Sequence, residues 1–150
     1  MSNEQRNTAG GCLCGAIRYE FSGEPTSVLH CHCESCRRHT GAPVVTLVGL
    51  KRPQLRYTRG EPKVYQSSPG IGRAFCADCG TPLTWEGDGG ALGPLVELHI
   101  STFDEPSAFI PQLHIHDDER LDWFEVADSL PRYHEWDEGE PYRHGPVGDG

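Results

Sequence analysis

Seven cysteines constrain this chain more than any other feature, because their spacing limits which folds can bring them together. They form two close pairs that stand far apart in the chain and one group of three between the pairs. Residues 1–10 are polar and lack the apolar run of a secretory signal, so we expect a cytoplasmic protein. Thiols in a reducing compartment stay free or bind metal.

The two pairs, Cys12 with Cys14 and Cys76 with Cys79, predict a closed zinc site. Structural zinc is held tetrahedrally by four thiolates or imidazoles, typically as two close pairs from separate chain segments. A glycine follows each pair, as expected where a tight turn aims two sulfurs at one ion and the next residue takes a positive φ. The alternative is buried or disulfide-linked cysteine, although a Cys-x-Cys pair is poorly placed for bridging. Four thiolates favour zinc over iron.

The group Cys31, Cys33 and Cys36 predicts a second metal site, for which the chain holds no fourth cysteine. Three protein ligands and one open position are the pattern of catalytic zinc, so we predict these three cysteines to be catalytic. Because three ligands hold metal less tightly than four, we expect this second zinc to be labile. Two alternatives stay open, a redox thiol pair and a structural site completed by a histidine. The histidines considered for that role are His30, His32, His39, His99, His114 and His116.

Arg37 and Arg38 follow the third cysteine directly, and we predict that they bind substrate. A guanidinium group grips a carboxylate through two parallel hydrogen bonds, and its charge offsets that of a zinc–thiolate centre. The alternative is that both side chains are simply solvated at the surface.

Two histidines further along the chain, His114 and His116, are spaced to lie on one face of a strand. This spacing suits metal binding, but a strand histidine is more often part of hydrogen-bonded structure. The roles of His99, His114 and His116 stay open at this point.

Short β-type runs between glycine and proline residues predict a mainly β fold with short helical pieces. The predicted strands are residues 16–21, 44–50, 54–58, 63–66, 82–85, 95–101 and 112–116. One short helix is predicted from Glu34 and another within residues 117–127. A chain of 150 residues is the size of one domain, which we place at residues 10–136, with flexible tails at 1–9 and 137–150.

The formal net charge of −9 bears on the partners of the chain. An acidic protein without a basic stripe is not expected to bind nucleic acid or an anionic membrane. No apolar run approaches the ~18 residues that a membrane span needs. We therefore expect small molecules as partners, and the oligomeric state is not predicted.

Four segments together carry a resemblance to a known family. They are GCLCGAIRY at 11–19, CHCESCRRHTGAP at 31–43, RAFCADCGTPL at 73–83 and WFEVADSLP at 123–131. The chain resembles, over residues 10–136, the glutathione-dependent formaldehyde-activating enzymes and the related centromere protein V group. The resemblance implies a compact fold of several coiled β-sheets stabilised by zinc. It also implies one zinc on Cys12, Cys14, Cys76 and Cys79, and a second on Cys31, Cys33 and Cys36.

The resemblance further implies a reaction, the addition of the glutathione thiol to formaldehyde, which is classed with the carbon–sulfur lyases. In that reaction the open zinc would bind the thiol or polarise the aldehyde, and Arg37 or Arg38 would engage a carboxylate of glutathione. Two other functions stay open. One is the same chemistry on another aldehyde or thiol adduct, and the other is a zinc-stabilised binding module without turnover.

Overall fold

Residues 7–146 are described by the structure, a computed structural model, and most of their regular backbone is strand. The strands are β1 Asn7–Gly11, β2 Arg18–Ser22, β3 Ser27–Cys31, β4 Val45–Lys51, β5 Leu55–Arg59, β6 Lys63–Ser68, β7 Ile71–Phe75, β8 Pro82–Asp88, β9 Pro94–His99, β10 Leu113–Ile115, β11 Pro131–Arg132 and β12 Arg143–His144. The α-helix of the described residues is α1, Glu34–Thr40. Short 3-10 turns lie at Arg52–Gln54, Gly90–Leu92, Ile100–Thr102, Pro106–Ala108 and Asp117–Glu119. The predicted mainly β fold is confirmed.

The described chain forms two compact units. The first unit takes residues 7–27 and 48–109, and the second takes residues 28–47 and 110–146. The chain passes from the second unit to the first within β4. The single domain predicted for residues 10–136 stays a prediction.

The first unit is built from antiparallel strands. β2 lies between β1 and β5, while β6, β7, β8 and β9 follow one another as neighbours. Aromatic side chains fill part of its interior, with the ring of Phe103 centred 5.5 Å from those of both Phe21 and Phe109. Such burial of large apolar rings is the main source of stability for a domain of this size.

In the second unit, β10 runs parallel to both β3 and β11, and β12 is antiparallel to β11. The register places His114 opposite His30 and Ile115 opposite Cys31. A buried apolar cluster lies around the end of β3 and consists of Leu29, Cys31, Cys36, Val45, Leu47 and Ile115. Two of the seven cysteines, Cys31 and Cys36, are therefore part of this apolar cluster.

Helix α1 starts directly after the second cysteine of the group of three. The sulfur of Cys33 caps the helix by accepting a hydrogen bond from the backbone N–H of Cys36, at 3.3 Å. Glu34 lies in the first turn, and basic residues occupy the last turn, as the helix dipole favours. The predicted helix from Glu34 is confirmed, and the cap places Cys33 and Cys36 on the same turn.

The prediction of a second helix within residues 117–127 is wrong. Only the turn Asp117–Glu119 is helical, and it is of the 3-10 type. Arg120 after it is extended, with ψ of 154°, and its guanidinium bonds the backbone carbonyl and carboxylate of Asp117. The spacing of apolar residues in this segment therefore reflects packing of an irregular chain rather than a helical face.

The predicted tails fall partly inside the described chain. Asn7 to Ala9 belong to β1, and β12 includes Arg143, which bonds the carboxylates of Asp117 and Glu125. Residues 1–6 and 147–150 lie outside the described residues, and the flexibility of the tails stays a prediction. Among residues 7–146, no helix has the length and apolar character needed to cross a membrane.

Candidate functional site

Four cysteine sulfurs of the first unit, from Cys12, Cys14, Cys76 and Cys79, lie within 4.8 Å of one another. We call this set the four-cysteine cluster. Its Cys12–Cys14 and Cys14–Cys76 sulfur distances are 3.6 and 3.8 Å. A tetrahedral zinc with bonds of about 2.3 Å to sulfur would hold its ligands about 3.8 Å apart. The spacing of these sulfurs therefore suits a single zinc ion, and zinc binding at this cluster stays a prediction.

The four-cysteine cluster is formed by two similar turns of the backbone. In one, the N–H of Cys12 bonds the carbonyl of Ile17 at 3.1 Å, and in the other the N–H of Cys76 bonds the carbonyl of Thr81 at 3.0 Å. Gly15 and Gly80 have φ of 82° and 79°, the region that the sequence predicted for them. Each turn thus brings two sulfurs to the same side of the chain.

Neighbouring donors favour the thiolate form of two cysteines in this cluster, Cys12 and Cys79. The hydroxyl of Thr81 lies 3.1 Å from the sulfur of Cys79, and this bond is the main cause that lowers the pKa of Cys79 to about 5. The backbone N–H of Ile17 donates to the sulfur of Cys12 at 3.2 Å. Thiolate sulfurs are the ligands that zinc prefers, so these contacts suit a metal site.

The sulfurs of Cys31, Cys33 and Cys36 also lie within 4.8 Å of one another, in the second unit. We call this set the three-cysteine cluster. Cys31 and Cys36 are only 2% and 4% exposed, whereas Cys33 is partly exposed. Hydrogen bonds from the thiols of Cys31 and Cys36, together with the N–H of Cys36, hold the pKa of Cys33 well below its usual range. Cys33 is therefore the thiolate that solvent reaches.

In the part of the chain that the structure describes, no histidine joins the three-cysteine cluster. The predicted alternative of a fourth, histidine ligand finds no candidate at this distance. Three soft donors, one of them capping a helix and open to solvent, are a ligand set that could hold zinc.

The two arginines after Cys36 lie in different environments. Arg37 donates from Nε to the carbonyl of His32 and from Nη2 to the carbonyl of Glu119, each at 3.1 Å. Arg38 is 80% exposed and pairs with Glu34 at 2.9 Å, an exposed contact of small energetic value. Substrate binding stays a prediction for both residues, and Arg38 is the one whose guanidinium is open to solvent.

Three histidines of the second unit form a stack that the sequence did not predict, with His32 and His114 buried and His30 partly buried. The rings of His30 and His32 are centred 4.7 and 5.1 Å from that of His114. His32 Nε2 lies 2.8 Å from His114 Nδ1, and His114 Nε2 lies 3.0 Å from a carboxylate oxygen of Asp128. Burial lowers the pKa of both His30 and His32 to about 4, so the stack is neutral near pH 7.

The predicted placement of His114 and His116 on one strand face is wrong. Strand β10 ends at Ile115, and His116 takes a left-handed conformation with φ of 49°. His116 then lies 3.4 Å from Glu119, whereas His114 points into the stack. The third histidine left open, His99, is buried at the end of β9 in the first unit.

Asp117 is a buried carboxylate beside the histidine stack, 3.8 Å from His32 Nε2. It accepts hydrogen bonds from Tyr142, from Arg143 at 2.6 Å and from Arg120 at 3.3 Å. Burial raises its pKa, but these donors outweigh burial, and the pKa is lower than usual. The charge of Asp117 is thus already compensated by two arginines.

Comparison with known proteins places this chain among relatives. The sequence model of a family described as "Glutathione-dependent formaldehyde-activating enzyme" matches residues 7–119, which include all seven cysteines. A protein of Schizosaccharomyces pombe, named as an uncharacterized lyase, is 29% identical over 124 residues, 83% of this chain and 88% of its own length. A crystal structure of a Rhodobacter sphaeroides protein superposes with a TM-score of 0.52 at 22% identity. It covers 69% of this chain and 97% of its own, and it shows likeness of fold.

Proposed function

Because this chain belongs to the glutathione-dependent formaldehyde-activating enzyme family, we propose that it is a zinc-dependent carbon–sulfur lyase. Its substrates would be glutathione and formaldehyde, or a related thiol and aldehyde. The observation that carries the proposal is the three-cysteine cluster, in which two buried thiols and the partly exposed Cys33 converge. The lyase name of the Schizosaccharomyces pombe relative agrees with the proposed reaction class.

The proposed reaction forms one bond and needs no oxidant. The sulfur of the thiol attacks the aldehyde carbon, a carbon–sulfur bond forms, and the thiol proton ends on the former carbonyl oxygen. In the reverse direction the same bond breaks and the proton returns to sulfur. Bound by Cys31, Cys33 and Cys36, zinc would stabilise a thiolate near neutral pH and polarise a carbonyl oxygen.

The residues of this chain would hold the cysteines in position and bind the substrate. The N–H of Cys36 holds Cys33 as the solvent-facing thiolate, and Arg37 fixes the loop by binding the carbonyls of His32 and Glu119. Arg38, which is open to solvent, would pair with a carboxylate of glutathione. The four-cysteine cluster would hold a structural zinc, because four thiolates complete the coordination of one ion and leave no position for substrate.

We predict that Cys33→Ala abolishes catalysis while the fold persists. In mixtures of glutathione and ¹³C-formaldehyde, exchange NMR separates enzyme-catalysed exchange from the spontaneous reaction. Wild-type protein should accelerate exchange between free and thiol-bound formaldehyde, and Cys33→Ala should not. Ser35→Ala is the matched control, since Ser35 is exposed on the same turn.

Undiminished acceleration of formaldehyde exchange by Cys33→Ala would contradict the assignment of the site. If wild-type protein binds glutathione by calorimetry but accelerates nothing, the chain is a binding module instead. This proposal keeps the location and the partners that composition predicted. The protein would be cytoplasmic and would bind neither nucleic acid nor a membrane.

A further inference from the structure

His32 lies between two cysteines of the three-cysteine cluster, and three of its four polar groups are hydrogen-bonded. Its backbone N–H donates to the carbonyl of Ile115 at 3.3 Å, and its carbonyl accepts from Arg37 at 3.1 Å. Its side chain is 1% exposed and meets His114 at 2.8 Å through Nε2. The other ring nitrogen, Nδ1, is buried and has no hydrogen-bond partner among the described residues.

The proton positions in this series of hydrogen bonds follow from its far end, which is the carboxylate of Asp128. Asp128 accepts hydrogen bonds from Arg132 at 2.6 Å and from the N–H of Leu130 at 3.0 Å. Burial raises the pKa of Asp128, but the bonds from His114 and Arg132 outweigh it and lower the pKa to about 2. An ionised carboxylate only accepts hydrogen bonds, so the nitrogen of His114 that faces it must carry a proton.

The tautomers of both histidines are then fixed in turn. Burial lowers the pKa of His114, and a neutral imidazole protonated on Nε2 has an acceptor at Nδ1. That acceptor lies 2.8 Å from His32 Nε2, which must therefore donate. The remaining nitrogen of His32, Nδ1, carries a lone pair and no proton.

We propose that His114, whose tautomer Asp128 sets, is a positioning residue for the three-cysteine cluster: it locks His32 in the tautomer protonated on Nε2 and so fixes the backbone that carries Cys31 and Cys33. This inference rests on the metal site of the proposed function. A metal ligand held in place by outer hydrogen bonds binds its ion 10- to 100-fold more tightly than one left free. Here the hydrogen-bonded residue is the one that joins two ligands.

A metal ion bound by the histidines themselves is the competing explanation. Nitrogen or oxygen atoms of His32, His114 and Asp117 lie within 4.8 Å of one another. Two imidazole ligands of a tetrahedral zinc would stand about 3.3 Å apart, however, and the observed 2.8 Å is a hydrogen-bond distance. Asp117 is also neutralised by Arg143 and Arg120. The geometry favours the hydrogen bond.

Two variants of the same residue separate positioning from plain structural support. In His114→Asn, the side-chain oxygen replaces Nδ1 and can still accept from His32, but the contact with Asp128 is lost. In His114→Gln, the amide replaces Nε2 and still reaches Asp128, but His32 loses its acceptor. His134→Asn serves as the surface control, since the side chain of His134 is 62% exposed.

The first measurement is ¹⁵N–¹H long-range NMR of the imidazoles in the zinc-loaded wild type. We expect His32 and His114 to be protonated on Nε2 alone. The second is the rate at which a chelator removes the less tightly held zinc. That rate should stay near the wild-type value in His114→Asn and His134→Asn and rise about tenfold in His114→Gln, where His32 should also show mixed tautomers.

A proton on His32 Nδ1 in the wild type would overturn the proposal. Faster zinc loss in His114→Asn than in His114→Gln, or equal rates of loss in both variants, would assign His114 a structural role only. A zinc ion beyond two per chain that disappears in both variants would mean that the histidines bind metal. The methyl resonances of Leu47 and Ile115, which pack beside Cys31, report folding in each case. None of these readouts needs catalysis, so failure of the lyase assay leaves the test intact.

Discussion

At the scale of single residues, the seven cysteines differ by their immediate neighbours rather than by their spacing. Cys79 meets a hydroxyl, Cys33 meets a backbone N–H, and Cys31 is enclosed by apolar side chains. Donors lower the pKa of a thiol, and burial raises it. Residues of the same type therefore differ, with Cys33 a candidate ligand open to solvent and Cys31 a candidate ligand in the core. The same reasoning applies to His114, whose burial favours the neutral ring.

We expect the stability of the protein to fall as the pH drops below about 6.5, the ordinary pKa of histidine. The pKa of His114 is lowered by burial, so the unfolded chain binds a proton there that the folded chain does not. The contribution is present above the unfolded pKa and is lost as the pH falls towards the folded one. The predicted slope is about 1.4 kcal/mol per pH unit for each proton.

Urea unfolding between pH 7.5 and 5.5 measures this slope. The variant His114→Asn keeps every cysteine, so the contribution of zinc binding is common to both proteins. Its free energy of unfolding should change less steeply with pH than that of the wild type. Identical slopes would mean that His114 does not contribute to the pH dependence.

At the scale of elements, turns and the start of one short helix carry six of the seven candidate ligands, and Cys31 is the last residue of strand β3. The two turns of the four-cysteine cluster each need a left-handed residue after the second cysteine, and Gly15 and Gly80 supply it. Helix α1 begins at Glu34 because the sulfur of Cys33 caps it. A candidate ligand therefore also serves as a structural cap, which couples the geometry of the three-cysteine cluster to the formation of the helix.

We predict that Gly80→Ala destabilises the first unit by about 1–2 kcal/mol, the cost of a left-handed alanine. Apart from Gly80 and its two chain neighbours, no atom of residues 7–146 lies within 4 Å of the position of the added Cβ, so the cost is in the backbone and not in a clash. Chemical denaturation of the zinc-loaded protein measures it. Asp78→Ala in the same turn is the control and should be nearly neutral; a Gly80→Ala protein as stable as this control would contradict the argument.

At the scale of the whole molecule, the two cysteine clusters belong to different compact units. Each unit therefore has its own candidate metal, and the metals are expected to leave independently.

Protein purified without chelator should contain more than one and at most two zinc ions per chain. A mild chelator should first remove the ion of the three-cysteine cluster, because three ligands bind less tightly than four. Removal of the second ion, or the substitution Cys76→Ala, should unfold the first unit. Zinc analysis alongside circular dichroism checks the order. A single ion whose loss unfolds nothing would refute the two-site proposal.

Much of this architecture was predictable from the sequence because it depends on local spacing. Short β-type runs between turn residues predicted seven strands near their observed positions, and the glycines after each cysteine pair predicted the turns. Strands such as β1 Asn7–Gly11 and β7 Ile71–Phe75 were missed because polar residues or glycine hide their pattern. Their pairing with neighbouring strands, not their own composition, makes them strands.

Local spacing alone defines the two close pairs and the group of three, since cysteines a few residues apart on one turn converge whatever the rest of the fold does. Folding brings the two pairs together, with Cys14 and Cys76 in contact across 62 residues, and sets what surrounds every cysteine. His32 meets His114 because β3 and β10 run parallel in one register, and Asp128 joins because an irregular segment packs onto that pair. Long-range strand pairing leaves no trace in local spacing, so such contacts between distant residues are fixed by folding alone.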